Sequence, residues 1–376
     1  FILAIQKDYL FLVEHILSLS STKINQIIKR KCNHKYGYYS ESKHIDHIGR
    51  CHLEKIESFF LKQLFFYSPD DVHDRINVKD YFDKDFVYDE STTVLHIAVE
   101  NNSIETVKLL LNRPEIDLIL NQDCMKYKVN HSMEKMTSLH IAIENENYKI
   151  VKLLCQHHKI DVNIKVIRFA YSYMERFYLM EEIPPIHLAI NHQNELIVHL
   201  LSNHQGIDIN AKYVIKAWNV YGGRSQTVEF DEITPLSFAV ETGNMNICLP
   251  ILSNKDIDIN CETIDCFSLK KNYIISFLIK RRLTPLHAAI FRNNADICQL
   301  LLSNKEIDVS HLYTKEYINV DFKKGKSSID RTKQTKTPLY LATELKKENN
   351  ELKIIFLLLS ASKNNIFDEE GFAIYD

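Results

Sequence analysis

Thr284-Pro285-Leu286-His287-Ala288-Ala289-Ile290-Phe291-Arg292-Asn293-Asn294, then Ala295-Asp296-Ile297-Cys298-Gln299-Leu300-Leu301-Leu302 and Ile307-Asp308-Val309, reads as two short helices in succession. Thr284 can cap the first, its hydroxyl accepting from backbone N–H groups left open at the helix start. Pro285 then takes the first helical position, where the missing N–H costs nothing. Leu286, Ala289 and Ile290 share one apolar face, and Ile297, Leu300 and Leu301 repeat that spacing on the second helix. Asn293-Asn294 tolerates the left-handed backbone that ends a helix. Neither helix is long enough to be stable alone in water, so the unit needs neighbours of its own kind.

The neighbours are present. Thr93-Val94-Leu95-His96-Ile97-Ala98, Thr137-Ser138-Leu139-His140-Ile141-Ala142, Pro184-Pro185-Ile186-His187-Leu188-Ala189, Thr234-Pro235-Leu236-Ser237-Phe238-Ala239 and Thr337-Pro338-Leu339-Tyr340-Leu341-Ala342 repeat the opening. In five copies the alanine is followed 19 residues later by the Asp of an Ile-Asp pair: Asp117, Asp161, Asp208, Asp258 and Asp308. The helix pair therefore has a fixed length while the connection to the next copy varies. This pattern resembles the ankyrin repeat, whose signature is T-P-L-H-x-A on a two-helix unit. The resemblance implies an all-α repeat solenoid, a stack of helix-turn-helix units carrying extended β-hairpin finger insertions. It also implies that His96, His140, His187 and His287 lock the turn before each first helix rather than bind metal.

The repeat array spans 92–365, with units starting near 92, 136, 183, 233, 283 and 336. Residues 1–25 read as a truncated N-terminal repeat, 26–91 as an insertion or a diverged repeat, and 366–376 as the start of a further repeat. Phe1-Ile2-Leu3-Ala4-Ile5 is already helical in character, so the sequence reads as a fragment. Threonine-to-threonine spacings of 44 to 53 residues exceed the ordinary period of about 33. The excess falls in the fingers. Tyr213–Val220 with Thr227–Phe230, and Tyr317–Phe322 with a polar return, read as lengthened hairpins around Gly222-Gly223 and Gly325. The inserts at 164–182 and 261–282 are apolar enough to be expected to fold back and pack. Pro250, inside a second helix, is expected to kink or shorten it. Extra residues between Glu344 and Asn350 imply a longer first helix or a wider turn in the last unit.

Net charge is −3 over 376 residues, which predicts no general attraction to nucleic acid or membrane. Eight cysteines show no framework spacing, pointing to reduced thiols and a cytoplasmic setting. Cys155, Cys248 and Cys298 read as small apolar residues of second helices. The strongest apolar run, Tyr273–Ile279, has seven residues, far below the ~18 needed to cross a bilayer. Cys32, His34, His44, His47, Cys51 and His52 contain enough ligands for zinc, but no usual pair of ligand knuckles. They read as a polar linker. Gly325-Lys326-Ser327 lacks the second glycine of a phosphate loop, with Val320 in its place. Lys280-Arg281-Arg282 and the lysines of 310–336 form basic runs, read as solvated loops. No catalytic motif occurs, and neither metal nor cofactor is expected.

What remains is recognition. The resemblance implies a concave surface of hairpin fingers and first-helix ends, where the two residues before the inter-helix turn are variable contacts. Here these are Glu100 and Asn101, Glu144 and Asn145, Asn191 and His192, Glu241 and Thr242, and Phe291 and Arg292. Phe291 and Arg292 pair an aromatic with an arginine, the composition of an interface hot spot. Trp218 and Tyr221 on the 211–232 finger are further candidates. The expected function is a non-enzymatic protein–protein interaction scaffold. The alternative is the regulatory ankyrin region of a larger enzyme or channel. Neither nucleic-acid binding nor membrane insertion is expected, and weak self-association through open array ends is.

Overall fold

The computed structural model describes residues 32–35, 89–128, 132–172, 177–221, 224–271, 274–323, 326–345 and 350–362. The truncated repeat expected at 1–25, nearly all of the segment 26–91, and the opening of a further repeat at 366–376 lie outside them. So do the hairpin tips at 222–223 and 324–325.

Six helix pairs follow one another, each preceded by a strand: α1 (Val94–Glu100) and α2 (Ile104–Leu111), α3 (Ser138–Glu144) and α4 (Tyr148–Cys155), α5 (Pro185–Asn191) and α6 (Glu195–Ser202). They continue as α7 (Pro235–Thr242) and α8 (Met245–Leu252), α9 (Pro285–Phe291) and α10 (Ala295–Leu302), and α11 (Pro338–Glu344) and α12 (Asn350–Ser362). The signature residues start each first helix. In three of them the backbone N–H of the capping threonine donates to the histidine Nδ1 three residues on, at 3.0 Å for Thr93 and His96, 2.9 Å for Thr137 and His140, and 3.1 Å for Thr284 and His287. The hydroxyl of the same threonine lies 2.7–2.8 Å from that nitrogen. These histidines are fully buried. They are turn locks, as the resemblance implied.

The turn between helices passes through the left-handed region at Asn102, Glu146, Gln193, Asn293 and Gly243. The next residue then caps the second helix: Asn147, Asn194 and Asn294 accept through Oδ1 from Ile150, Ile197 and Ile297. Leu139, Ile186, Leu236 and Leu286 from first helices and Ile150, Ile197, Ile247 and Ile297 from second helices are almost wholly buried. Each such side chain contributes roughly 1.5–3 kcal/mol relative to exposure. Single repeats have too few of these groups to offset chain entropy, which is why the units fold as stacks.

The described residues form two compact units, one up to Ile160 with 166–180 and 218–227, the other made of 161–165, 181–217 and everything from Val228 on. In the first, α1 packs on α3 and α2 on α4. In the second, α5, α7, α9 and α11 pack in succession, α6 lies on α8 and α10 on α12.

The fingers are more extensive than an all-α class implies, for their strands pair into a sheet among the described residues. The strands are β1 (Cys32–Lys35) paired with β2 (Asp89–Thr92), then β3 (Asp123–Lys128), β4 (Ser132–Thr137), β5 (Val166–Ser172), β6 (Phe177–Ile183), β7 (Tyr213–Tyr221), β8 (Arg224–Ile233), β9 (Thr263–Lys271), β10 (Ile274–Leu283), β11 (Tyr313–Lys323) and β12 (Lys326–Lys336). The order is β3-β4-β5 in the first unit and β8-β9-β10-β11-β12 in the second. The inserts at 164–182 and 261–282 do not fold back. They form strands like the other fingers, because a strand alongside neighbouring hairpins shares its backbone groups while covering its apolar side chains. Asp117 itself lies in a 3-10 turn (Pro114–Leu118), and the insert after it supplies β3 and β4.

Other expectations need adjusting too. Helix α8 keeps eight residues, as the other second helices of 104–302 do, so Pro250 does not shorten it, and Ser253 N–H still donates to Leu249 O beyond it. In the last unit α11 has seven residues, as most first helices do, and α12 has thirteen, while 346–349 between them lie outside the described residues.

A ladder of asparagines ties consecutive repeats in the second unit. Asn163 Nδ2 donates to Gly206 O at 2.7 Å while its Oδ1 accepts from Asp208 N–H at 2.8 Å. Asn210 makes the same two bonds to Asp256 O and Asp258 N–H, and Asn260 to Glu306 O and Asp308 N–H. The aspartate two residues before each asparagine in turn accepts from its backbone N–H. The recurrent Asp-Val-Asn or Asp-Ile-Asn thus fixes the distance between repeats, just where the fingers leave the helices.

Candidate helix-end interface

Each first helix ends at a pair of predicted contact residues, and a short row of strand residues lies beside it. In the first unit, Glu100 is the last residue of α1 and Asn101 its C-cap; both are exposed. Asn145, the C-cap of α3, donates through Nδ2 to Val99 O at 3.3 Å. Glu144 is held by the hairpins. Arg168 on β5 reaches Glu144 Oε1 at 2.6 Å through one terminal nitrogen and lies 2.9 Å from Glu134 of β4 through Nε. The guanidinium thus bridges a helix end and two strands.

In the second unit, Asn191 ends α5 as an exposed residue and His192 caps it. Below them His187 donates through Nε2 to Ile233 O at 2.9 Å and stacks on Phe238, 5.7 Å between centroids. Pro184 stands where other copies have threonine. It supplies neither N–H nor hydroxyl, and His187 Nδ1 is buried with no hydrogen-bond partner among the described residues. Burial depresses the His187 pKa to about 3 and that of His287 to about 4, so both are neutral near pH 7.

Glu241 and Thr242 end α7, and Phe291 and Arg292 end α9. Thr242 donates to Ala239 O within its own helix. Arg292 is more than half exposed and approaches Glu241 at 3.8 Å. Burial raises the Glu241 pKa, and Arg292 only partly offsets it. Phe291 is half-buried and meets Tyr313 of β11 edge-on at 5.3 Å, while the Arg281 guanidinium lies over its ring at 5.9 Å. Arg281 is gripped by Asp265 of β9 through Nε and a terminal nitrogen, at 2.8 and 2.5 Å. Burial opposes the charged form, but the Asp265 hydrogen bond and charge outweigh it and raise the Arg281 pKa. Trp218 and Tyr221 are on β7, but their side chains lie outside the described residues.

Arg168, Glu134, Asp265, Arg281, Lys315, Tyr313 and Tyr317 were not among the contact positions expected from sequence. A signal existed. Glu134, Glu181, Asp231 and Arg281 each stand eight residues before a signature alanine, and Arg168, Ile215, Asp265 and Lys315 stand 26 after one. The run Lys280-Arg281-Arg282, read as solvated, is divided by strand alternation: Arg281 turns to the helix ends and its neighbours to the opposite face.

Nothing in this arrangement assembles a nucleophile with a base. Among the described residues no group of His, Cys, Asp or Glu is placed to hold a metal ion, and no helix is long and apolar enough to cross a membrane. Cys248 and Cys298 are free, buried thiols whose pKa burial raises to about 12, the reverse of an activated nucleophile. Among curated proteins none matches the chain. The family profile described as Ankyrin repeats (3 copies) matches residues 59–166 and 186–368, which is most of the chain. With the threonine–histidine turn locks, the left-handed inter-helix turns and the hairpin fingers, that match makes this chain a member of the ankyrin-repeat family.

Proposed function

We propose that the chain is a non-enzymatic protein-interaction scaffold that holds a partner through its first-helix ends and the adjoining finger strands. One observation carries this reading. The frame is nearly invariant between copies, while the side chains at its helix ends change from Glu-Asn to Asn-His, Glu-Thr and Phe-Arg. Positions at the edge of the packed frame that differ in size and charge between copies suit a surface selected for one particular partner. Phe291, Arg281, Tyr313 and Arg292 supply rigid aromatic area beside guanidinium groups, the chemistry of binding hot spots.

The test is capture from lysate by the chain and by a Phe291→Ala, Arg292→Ala double variant, with circular dichroism to verify that both are folded. The reading expects a protein retained by the first and lost by the second. Equal capture by both would move the interface away from this face, and no specific capture by either would count against a scaffold.

A further inference from the structure

Resting on that scaffold reading, the charge balance along the face indicates what kind of partner it fits. Strand register in the second unit places Asp265 opposite Arg281, Arg281 opposite Lys315, and Lys315 opposite Gln334, in one row across four strands. Asp265 neutralises Arg281 through two hydrogen bonds. Glu241 approaches Arg292 without closing on it, at 3.8 Å. Lys315 is different. Its ammonium lies 4.8 Å from the centroid of the Tyr317 ring, and among the described residues no carboxylate pairs with it. Directly opposed like charges on neighbouring strands are unfavourable, and Arg281 and Lys315 are such a pair. An anion brought in from outside would relieve this.

We propose that Lys315, with Tyr317 and Arg292, receives an extended acidic segment of the partner polypeptide, one carboxylate meeting the Lys315 ammonium and the neighbouring residue lying along the Tyr317 ring. The site favours separate carboxylates over a continuous polyphosphate. Asp265 and Glu241 border the cationic spot and would repel a phosphate backbone charged at every step, whereas an extended peptide turns every second side chain away from them. The segment is extended because the row that receives it is a strand surface, on which alternate residues two apart, such as Lys315 and Tyr317, share one face.

The test uses a fluorescein-labelled oligoglutamate peptide, read by anisotropy at low salt, with the full chain and three variants. Lys315→Gln should weaken binding about fivefold or more, and Arg292→Gln by a smaller factor. Lys255→Gln, at an exposed turn just after α8 and outside the strand row, should leave binding within about twofold. Lys315→Gln also removes the repulsion with Arg281, so its Tm should be unchanged or higher, which separates lost binding from lost folding. No binding by the unaltered chain, equal loss in all three variants, or tighter binding of a single-stranded DNA of equal charge would each overturn the proposal. If the lysate experiment captures a partner through this face while oligoglutamate fails, the scaffold reading stands and the acidic partner does not.

Discussion

Replacing Pro184 with threonine should stabilise the protein. Three copies of the signature satisfy the histidine Nδ1 with a threonine N–H at 2.9–3.1 Å and place the hydroxyl at 2.7–2.8 Å. His187 has the same buried position but no partner for that nitrogen. Pro184 sits at φ −63° and ψ 150°, and Thr234 caps its helix at φ −78° and ψ 154°, so threonine fits the backbone. Satisfying a buried orphan acceptor is worth about 1–3 kcal/mol. A threonine cap adds about 1 kcal/mol over an uncapped start. Losing the proline releases unfolded-state entropy worth about 0.4–1 kcal/mol in the opposite direction. The net expectation is a gain of about 1–3.5 kcal/mol, measured by urea denaturation followed by far-UV circular dichroism. Pro184→Val, which lacks the hydroxyl but regains the N–H, should recover only part of this. A Pro184→Thr protein no more stable than the parent would refute the claim that the orphaned nitrogen carries a cost.

Four further outcomes follow from the same contacts. Asn210→Ala removes both bonds of one ladder step and should cost about 1–3 kcal/mol in the same denaturation assay, whereas Asn203→Ala should cost less because its side chain bonds only within its own turn. Leu286→Ala, at a site with no exposure, should cost about 2–5 kcal/mol and speed amide exchange in α7 and α11, against which α9 packs. Gln193→Gly relieves a left-handed backbone at φ 51° and should raise Tm slightly, a gain of about 0.5–1 kcal/mol. Acid should destabilise the fold through its histidines. His187 and His287 have folded pKa values of about 3 and about 4, below the ordinary 6.5, so the unfolded chain binds more protons between those values. Stability is therefore full above pH 6.5 and falls as pH drops toward 4, with imidazole proton shifts of both residues still neutral at pH 5 by NMR.

How much of this was legible beforehand depended on the range of the contacts. The helix pairs were, because Thr284, Pro285, Leu286 and His287 act within one turn and the pattern is repeated along the chain. The left-handed turn at Asn293 was too, for the same local reason. The finger strands at 166–172 and 263–271 were not, since their apolar side chains are equally consistent with packing back on the helices. Register decided the matter, and register is a relation between fingers some 50 residues apart. Arg168 and Arg281 show the same limit at the candidate site. Arg168 is a lone charge in sequence and Arg281 the middle of a basic run, and each acquires a role only when Glu134 and Glu144, or Asp265 and Phe291, are brought beside it. Pro250 shows the converse: a strong local rule left the length of its helix unchanged, because the packing of the repeat fixes that length.

The interaction claim is tested most directly by placing a photo-cross-linking amino acid at Tyr317, at Arg292, and at Leu249, which is exposed on the second helix α8. After irradiation in lysate, the account predicts a discrete protein adduct from positions 317 and 292 and none from 249. Adducts from 249 with none from the other two would contradict it.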